Sequence, residues 1–486
     1  MSGKEDKNGK LVKSEETELQ NLNCDKNAKI VQKDQWSSDI EFLLSCITLS
    51  VGLGNVWRFP FTALENGGGT FVIPYTLIVL LVGRPLYYME LLLGQFSSKG
   101  CIKVWDMSPA VRGVGVGQCI CTIVVLSVYA SVMALTIRFF LASFNDPLPW
   151  TTTLDGAIDG IIYFIVPDWE KMFEAKLWYA AVTQVFYALG VCFGSIIMYS
   201  SYNRFDHNVY RDFNIITTMD YMTSLLAGFI IFGILGHLSH VMNVDIRDVT
   251  KSYMGLAFIA YPEAIAKFDF IPQFFSIVFF LMLFFFCVGS NMGMASCIMT
   301  VIRDRYPKVK CWKIVIGIVC FGVSTGCFYT SPGGQFLVNL FDFYGASFVA
   351  LVLATIELIT VSWIYGVDRF CKDIEFMLRR QTGIYWRLCW KFVTPTIMIG
   401  IFCYFIFTWE LLTYQDREYS FNMHALGWCV SLIALLQLPI WAVYAMMKQP
   451  KRKGINRFLK AFQPNDNWGT VSSDNRKAYE CSMYEA

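Results

Sequence analysis

The stretch Leu49–Pro60 reads Leu-Ser-Val-Gly-Leu-Gly-Asn-Val-Trp-Arg-Phe-Pro and lies in an apolar run that begins near Ile40. It gathers Gly52, Gly54, Asn55, Arg58 and Pro60 within nine residues. Two glycines and a proline weaken a helix, and an opened helix frees backbone carbonyls and amides. At membrane depth such backbone survives only where it lines a cavity or is buried in protein. One reading is a broken helix whose freed carbonyls hold a cation and whose freed amides, opening the second half, hold an anion. The other is a kinked packing helix with small residues at a helix contact. The residues alone leave both open. Asp220 poses a similar choice. An acid deep in an apolar run is a functional candidate by default, or a protonated, hydrogen-bonded packing residue.

The elements that must position these residues are membrane helices. The chain has 486 residues, 55% hydrophobic and 16% charged, with 41 Phe, against about 25% charged in a soluble domain. The net charge of +2 gives no reason to expect a nucleic-acid partner. A bilayer needs roughly 20 apolar residues per helix. Ten runs qualify, near residues 40–62, 68–95, 113–144, 175–203, 213–238, 270–302, 314–332, 338–366, 390–410 and 423–447. Basic residues set the orientation. The polar, Lys-rich N-terminus, Lys99, Lys103 and Arg112, Arg204 and Arg211, Arg303 to Lys313, Arg369 to Arg387, and Lys448 to Lys453 all fall on one side. Both termini are therefore expected in the cytoplasm, and Val241–Asp269 outside. The domain reading is a tail over 1–38, a transmembrane domain over 39–448 and a second tail over 449–486. The first tail has no apolar core and is not a signal peptide. The sixteen cysteines lie mostly in apolar runs or near basic clusters and form no disulfide framework. Cys119-x-Cys121 reads as packing rather than a metal site. His237 and His240 share a helix face at the end of a span. No Asn-x-Ser/Thr sequon occurs. Gly113-x-Gly115-x-Gly117 opens a membrane helix, and no Gly-rich loop follows a strand, so the sequence does not read as an enzyme.

Asn55–Pro60 with Glu65-Asn-Gly-Gly-Gly69 resembles the signature of the neurotransmitter:sodium symporter family. Pro74-Tyr75, Met89 to Gln95, Ser201 to Phe205, Tyr261 to Ala266 and Ser362 to Gly366 fit later segments. The likeness covers nearly all of 36–468. Ser201 to Tyr210 and Ile246-Arg-Asp-Val249 are most similar to the insect nutrient amino acid transporter branch. The resemblance implies an all-α integral membrane protein with the inverted-repeat sodium symporter fold, its first and sixth family helices broken. It also implies twelve spans where this chain offers about ten. Leu148-Pro-Trp150 is followed almost at once by Thr152-Thr-Leu-Asp-Gly156, which places the family's fourth and fifth spans and most of its outer loop in the gap. The family's Val241–Asp269 equivalent acts as a lid.

The resemblance further implies a set of sites. One sodium site would use Asn55, the Ser50 carbonyl, Ala188 and Asp220. Ala188 departs from the family's usual hydroxyl residue, and Asp220 stands where many relatives have Asn. A second would use carbonyls of Thr48, Val51 and Phe286 with the Ser290 hydroxyl. Gly289 there lacks the side chain that relatives often supply, and Asn291 is a candidate substitute. Hard cations suit these oxygens. A chloride site would use Tyr75, Gln184 and Ser224. It lacks the hydroxyl at Ala188 and has Asp220 close by, which makes chloride optional. The substrate pocket would comprise Gly52, Leu53, Gly54, Val125, Tyr129, Tyr187, Gly190, Phe193 and Met294. Monoamine carriers have Asp at the position of Gly52, so a substrate carrying its own carboxylate is expected. Arg58 with Asp342 matches the outer gate; Lys33, Trp36, Tyr202 and Asp304 match the inner latch. Arg84 receives no transport role.

The expected function is sodium-coupled symport of neutral amino acids at the plasma membrane. The alternative is a transport-incompetent short form, a splice or gene-model product, retained inside the cell and associating with full-length relatives.

Overall fold

The computed structural model describes residues 35–144, 157–246, 249, 272–329, 331, 333–409, 411–414, 417–448, 455–470, 475, 476 and 479. Lys33, the junction at 150–154, most of the expected outer lid and the motif at 261–266 lie outside them. The described residues of Trp36–Thr470 form one compact unit. Residues 455–470 of the expected second tail pack within this unit.

Within it, α1 (Asp39–Ser50) is capped by Ser38, whose side chain accepts from the Glu41 amide. It stops at Val51, which is extended. The chain resumes as a π-helical turn over Gly54–Arg58 and then α2 (Phe59–Glu65). Next come α3 (Gly69–Ile78), α4 (Arg84–Ser97), α5 (Gly113–Ala142) and α6 (Ala157–Ile165). α7 (Ala175–Leu189) and α8 (Ser195–Ser200) follow, then α9 (Val209–Met242), α10 (Pro272–Arg305) and α11 (Cys311–Tyr329). The remaining long stretches are Gly334–Leu378, Ile384–Phe407 and Phe421–Met447. A two-residue antiparallel ladder pairs Thr413 with Glu418. Among the described residues nine helical stretches are long and apolar enough to cross a membrane. The tenth expected run, 175–203, is divided between α7 and α8.

That division has a physical cause. Gly190, Cys192 and Gly194 have φ of +68°, +66° and +74°, a region that L side chains with a Cβ resist. Glycine takes it freely at two of the three. Cys192 is held there by the Glu90 carboxylate, which accepts from its amide at 2.6 Å. The fully buried Glu90 on α4 thus braces the second helix break.

Core and lipid-facing surfaces differ along the chain. The stretches through α1–α2 and Gly334–Leu378 are largely buried. α11 is mostly exposed. On α10, Phe274, Val278, Leu281, Phe285 and Met292 form an exposed stripe at helical spacing, and Ile40 and Leu44 on α1 are exposed too. Apolar helix surface of this kind suits lipid or a further helix.

Candidate functional site

The two breaks meet. An added Cβ on Gly54 would lie 3.3 Å from both the Ala188 Cα and the Tyr187 carbonyl oxygen. Gly54 therefore lets the first break approach α7 backbone to backbone. Gln184, four residues earlier on α7, donates its amide to the Gly54 carbonyl at 2.8 Å.

Asn55 is fully buried and organises the centre. Its Oδ1 accepts from the Gly52 amide at 3.0 Å. Its Nδ2 donates to Asp220 Oδ1 at 2.7 Å, to the Asp220 carbonyl at 3.0 Å and to Ser224 Oγ at 2.9 Å. Tyr75 donates its hydroxyl to the same Ser224 Oγ at 3.2 Å. Two acceptors in this buried group have no hydrogen-bond partner: Asp220 Oδ2 and Gln184 Oε1. Unsatisfied buried oxygens are costly, and a carboxylate more so. A cation or a proton would satisfy them. The donors expected to face chloride are turned to neighbours instead, Tyr75 to Ser224 and Gln184 to Gly54.

The residues expected at a second sodium site lie across the α1–α10 contact. An added Cβ on Gly52 would come within 2.9 Å of Ser290 Oγ, and one on Gly289 within 2.2 Å of the Thr48 methyl. The Thr48 methyl thus fills the space that a side chain at position 289 would need. Ser290 is buried, whereas Thr48 is exposed and donates its hydroxyl to the Leu44 carbonyl at 2.5 Å. Ser50, whose carbonyl was expected at the first site, donates its hydroxyl to the Leu189 carbonyl at 3.4 Å. Asn291 donates to Met133 Sδ at 3.9 Å.

Val125, Tyr129, Tyr187, Gly190, Phe193 and Met294, all expected in the pocket, line a cavity of about 30 Å³ with Leu49, Ser195 and Ser290. That volume holds about two waters, so a substrate must widen it. Leu53 lines a different cavity of about 60 Å³, with Trp57, Arg58, Asp342 and Tyr414. Tyr129 lines both. Gly52 and Gly54 line neither and are packed against Ser290 and α7.

Between the cavities, Arg58 Nη1 meets Asp342 Oδ2 at 2.8 Å. The Arg58 guanidinium sits 3.7 Å over the Tyr187 ring. Tyr187 donates its hydroxyl to Asp342 Oδ1 at 2.8 Å. These three side chains form one linked group, and sequence reasoning assigned Tyr187 only to the pocket. At the opposite end, Trp36 Nε1 donates to the Tyr199 carbonyl at 3.0 Å and its backbone amide to the Tyr202 carbonyl at 3.2 Å. Tyr202 and Thr300 share a hydroxyl hydrogen bond at 3.1 Å. Asp304 pairs with Lys103 at 3.6 Å.

Two features escaped the sequence reading. Glu357, fully buried, accepts from Gln118 Nε2 at 2.6 Å, and its Oε1 and the Glu90 Oε2 have no hydrogen-bond partner. A carboxyl inside an apolar run was a sufficient signal for it. Ser195, at the start of α8, lines the central cavity, and nothing in its type marks it. Arg84 donates to Asn214 Oδ1 at 2.5 Å and lies over Phe213.

Comparison with known proteins bears on what this arrangement serves. The profile of the Sodium:neurotransmitter symporter family matches residues 33–153 and 151–449. A protein described as Sodium-dependent nutrient amino acid transporter 1 from Drosophila willistoni is 36% identical over 572 positions, covering 92% of this chain and 89% of the relative. Its Drosophila ananassae counterpart is 34% identical over 610 positions, covering 99% and 94%. An alignment of 610 positions against 486 residues leaves at least 124 positions without a counterpart here. The family match itself is divided at 151–153. Matched over nearly all of 33–449, this chain is an all-α membrane protein that belongs to the sodium:neurotransmitter symporter family.

Proposed function

We propose that the chain performs sodium-coupled symport of neutral amino acids across the plasma membrane by alternating access, with both termini in the cytoplasm. The observation that carries this reading is the buried group around Asn55, where Asp220 Oδ2 and Gln184 Oε1 lack partners beside the first helix break. It offers a hard cation the oxygens it requires. The relatives' description as sodium-dependent nutrient amino acid transporters supports the same cation and substrate class. Gly52 brings no acid to the pocket, and its place against Ser290 leaves no room for one. The substrate therefore supplies its own carboxylate, held by the Tyr129 hydroxyl and the amides near Leu53 and Gly54. Val125, Tyr187, Phe193 and Met294 accept a neutral side chain. Sodium sits with Asn55, Asp220, Ala188 and Ser50, and a second ion with Thr48, Val51, Phe286 and Ser290. Asp220 supplies the negative charge that chloride supplies elsewhere, so chloride at Tyr75, Gln184 and Ser224 is dispensable. Radiolabelled leucine binding to the purified chain in sodium tests the substrate class. Phenylalanine is expected to displace it more effectively than dopamine or serotonin; the reverse order would overturn the assignment.

A second reading has its own support. At least 124 aligned positions are absent, and the exposed stripe on α10 beside α1 offers a face to missing helices. On this reading the chain binds ligands or full-length relatives without transporting.

A further inference from the structure

Three cysteine thiols far apart in sequence converge where the α4–α5 linker meets α5 and α10. Cys101 Sγ lies 3.4 Å from Cys119 Sγ and 3.7 Å from Cys297 Sγ, and all three lie within 4.8 Å of one another. Cys101 and Cys297 are fully buried and Cys119 is nearly so. We propose that Cys101, Cys119 and Cys297 form a binding site for a thiophilic d10 cation, Cu(I) or Zn(II).

The geometry suits such an ion. Three sulfurs around a metal at about 2.3 Å stand about 4.0 Å apart in a trigonal plane, close to the observed separations. Thiolate donors select Cu(I) and Zn(II) over the hard cations that use oxygen. An oxygen donor stands nearby: the Ser195 hydroxyl is buried and lies against the Cys297 thiol. Cys121, two residues from Cys119, takes no part; its thiol faces the Ala346 carbonyl at 3.7 Å.

The position gives the site a consequence. An added Cβ on Gly194 would lie 2.7 Å from the Cys101 Cβ, so Cys101 packs against the residue where the broken helix resumes. A bound ion would tie the α4–α5 linker, α5 and α10 together at the foot of that break, with Ser195 between it and the central cavity. Holding these segments together restrains rearrangement of the break.

The test uses the full chain, with Cys24, Cys481 and the exposed cysteines 311, 320, 327, 403 and 429 changed to Ser to remove background thiols. The protein is reduced, loaded anaerobically with Cu(I), or with Cd²⁺ as a spectroscopic surrogate for Zn(II), and exchanged into metal-free buffer. One retained equivalent and a near-ultraviolet thiolate-to-metal charge-transfer band are expected, with a raised thermal midpoint. Retention of Cu(I) alone or Cd²⁺ alone identifies which ion the site takes. Both signals should vanish in Cys297→Ser and in Cys119→Ser and persist in Cys121→Ser. Absence of retained metal in the parent, or equal retention in Cys297→Ser, would overturn the proposal. So would loss in Cys121→Ser alongside the others, which would mark adventitious binding only.

Discussion

At the scale of single residues, some side chains of the site stand out by their type and others do not. Tyr129 is one aromatic among many, yet it lies between the central and outer cavities. If its hydroxyl holds the substrate carboxylate, Tyr129→Phe should weaken leucine binding by roughly 1.5–3 kcal/mol, the loss of a charge-assisted hydrogen bond. Equilibrium binding should register this as about a 10- to 150-fold rise in Kd. Asp220 is tested by anion replacement. Gluconate for chloride should leave binding by the parent chain intact, and Asp220→Asn should make binding chloride-dependent. A parent silent without chloride would contradict the assigned role. Asn55, Asp220 and the Arg58–Asp342 pair were legible because polar residues inside apolar runs are rare and the motif is long. The hydrogen bond of Tyr187 to Asp342 was not, because its partner lies 155 residues away. Nor was the exchange between Thr48 and Gly289, where the methyl of one occupies the space the other leaves. Spacing along the chain was silent on the cysteines: the sulfurs near Cys119 come from Cys101 and Cys297, not from its sequence neighbour Cys121.

At the scale of elements, hydropathy located the helices, whereas the breaks needed more. The first was marked by Gly52, Gly54 and Pro60. The second was expected only from the resemblance and not from the residues of the 175–203 run, because part of what fixes it is Glu90, about a hundred residues upstream, on the Cys192 amide. The α4–α5 connection, outside the spans, offers a stability test. Asp106 is buried, which raises its carboxyl, but Lys99, Arg112 and the Asn465 amide outweigh that and hold it below the usual range. Lys99 stands at 3.0 Å, Arg112 also bonds the carboxylate, and Asn465 donates at 3.1 Å. A carboxyl lowered by folding stabilises above its ordinary value of about 3.9, and the contribution fades as pH falls through its value in the folded protein. Acidification below about pH 4 should therefore lower the thermal midpoint of the parent more than that of Asp106→Asn. At neutral pH the variant should be less stable by about 3 kcal/mol.

At the scale of the whole molecule, family membership, all-α architecture and the membrane setting were legible from composition and motifs. The interruption at 151–153 was legible only from the motif order, since removing two spans preserves the orientation of everything after them. An inverted-repeat transporter needs one bundle to rock against a complete frame. On the second reading, in which the exposed faces of α1, α10 and α11 await helices this chain lacks, the chain expressed alone should reach the surface poorly and show little uptake, whereas robust uptake would favour the transporter reading. A relative's missing block inserted between Trp150 and Thr152 should restore both, as read by surface biotinylation and radiolabelled amino-acid uptake. Ligand binding is a separate matter, because both helix breaks and the Asn55–Asp220–Ser224 group are present in this chain. The most direct test is saturable leucine binding to the purified protein in lipid nanodiscs, compared in sodium and in potassium at equal ionic strength. Binding in sodium, absent in potassium and abolished by Asn55→Ala, is the predicted result; binding of equal affinity in potassium would contradict the account.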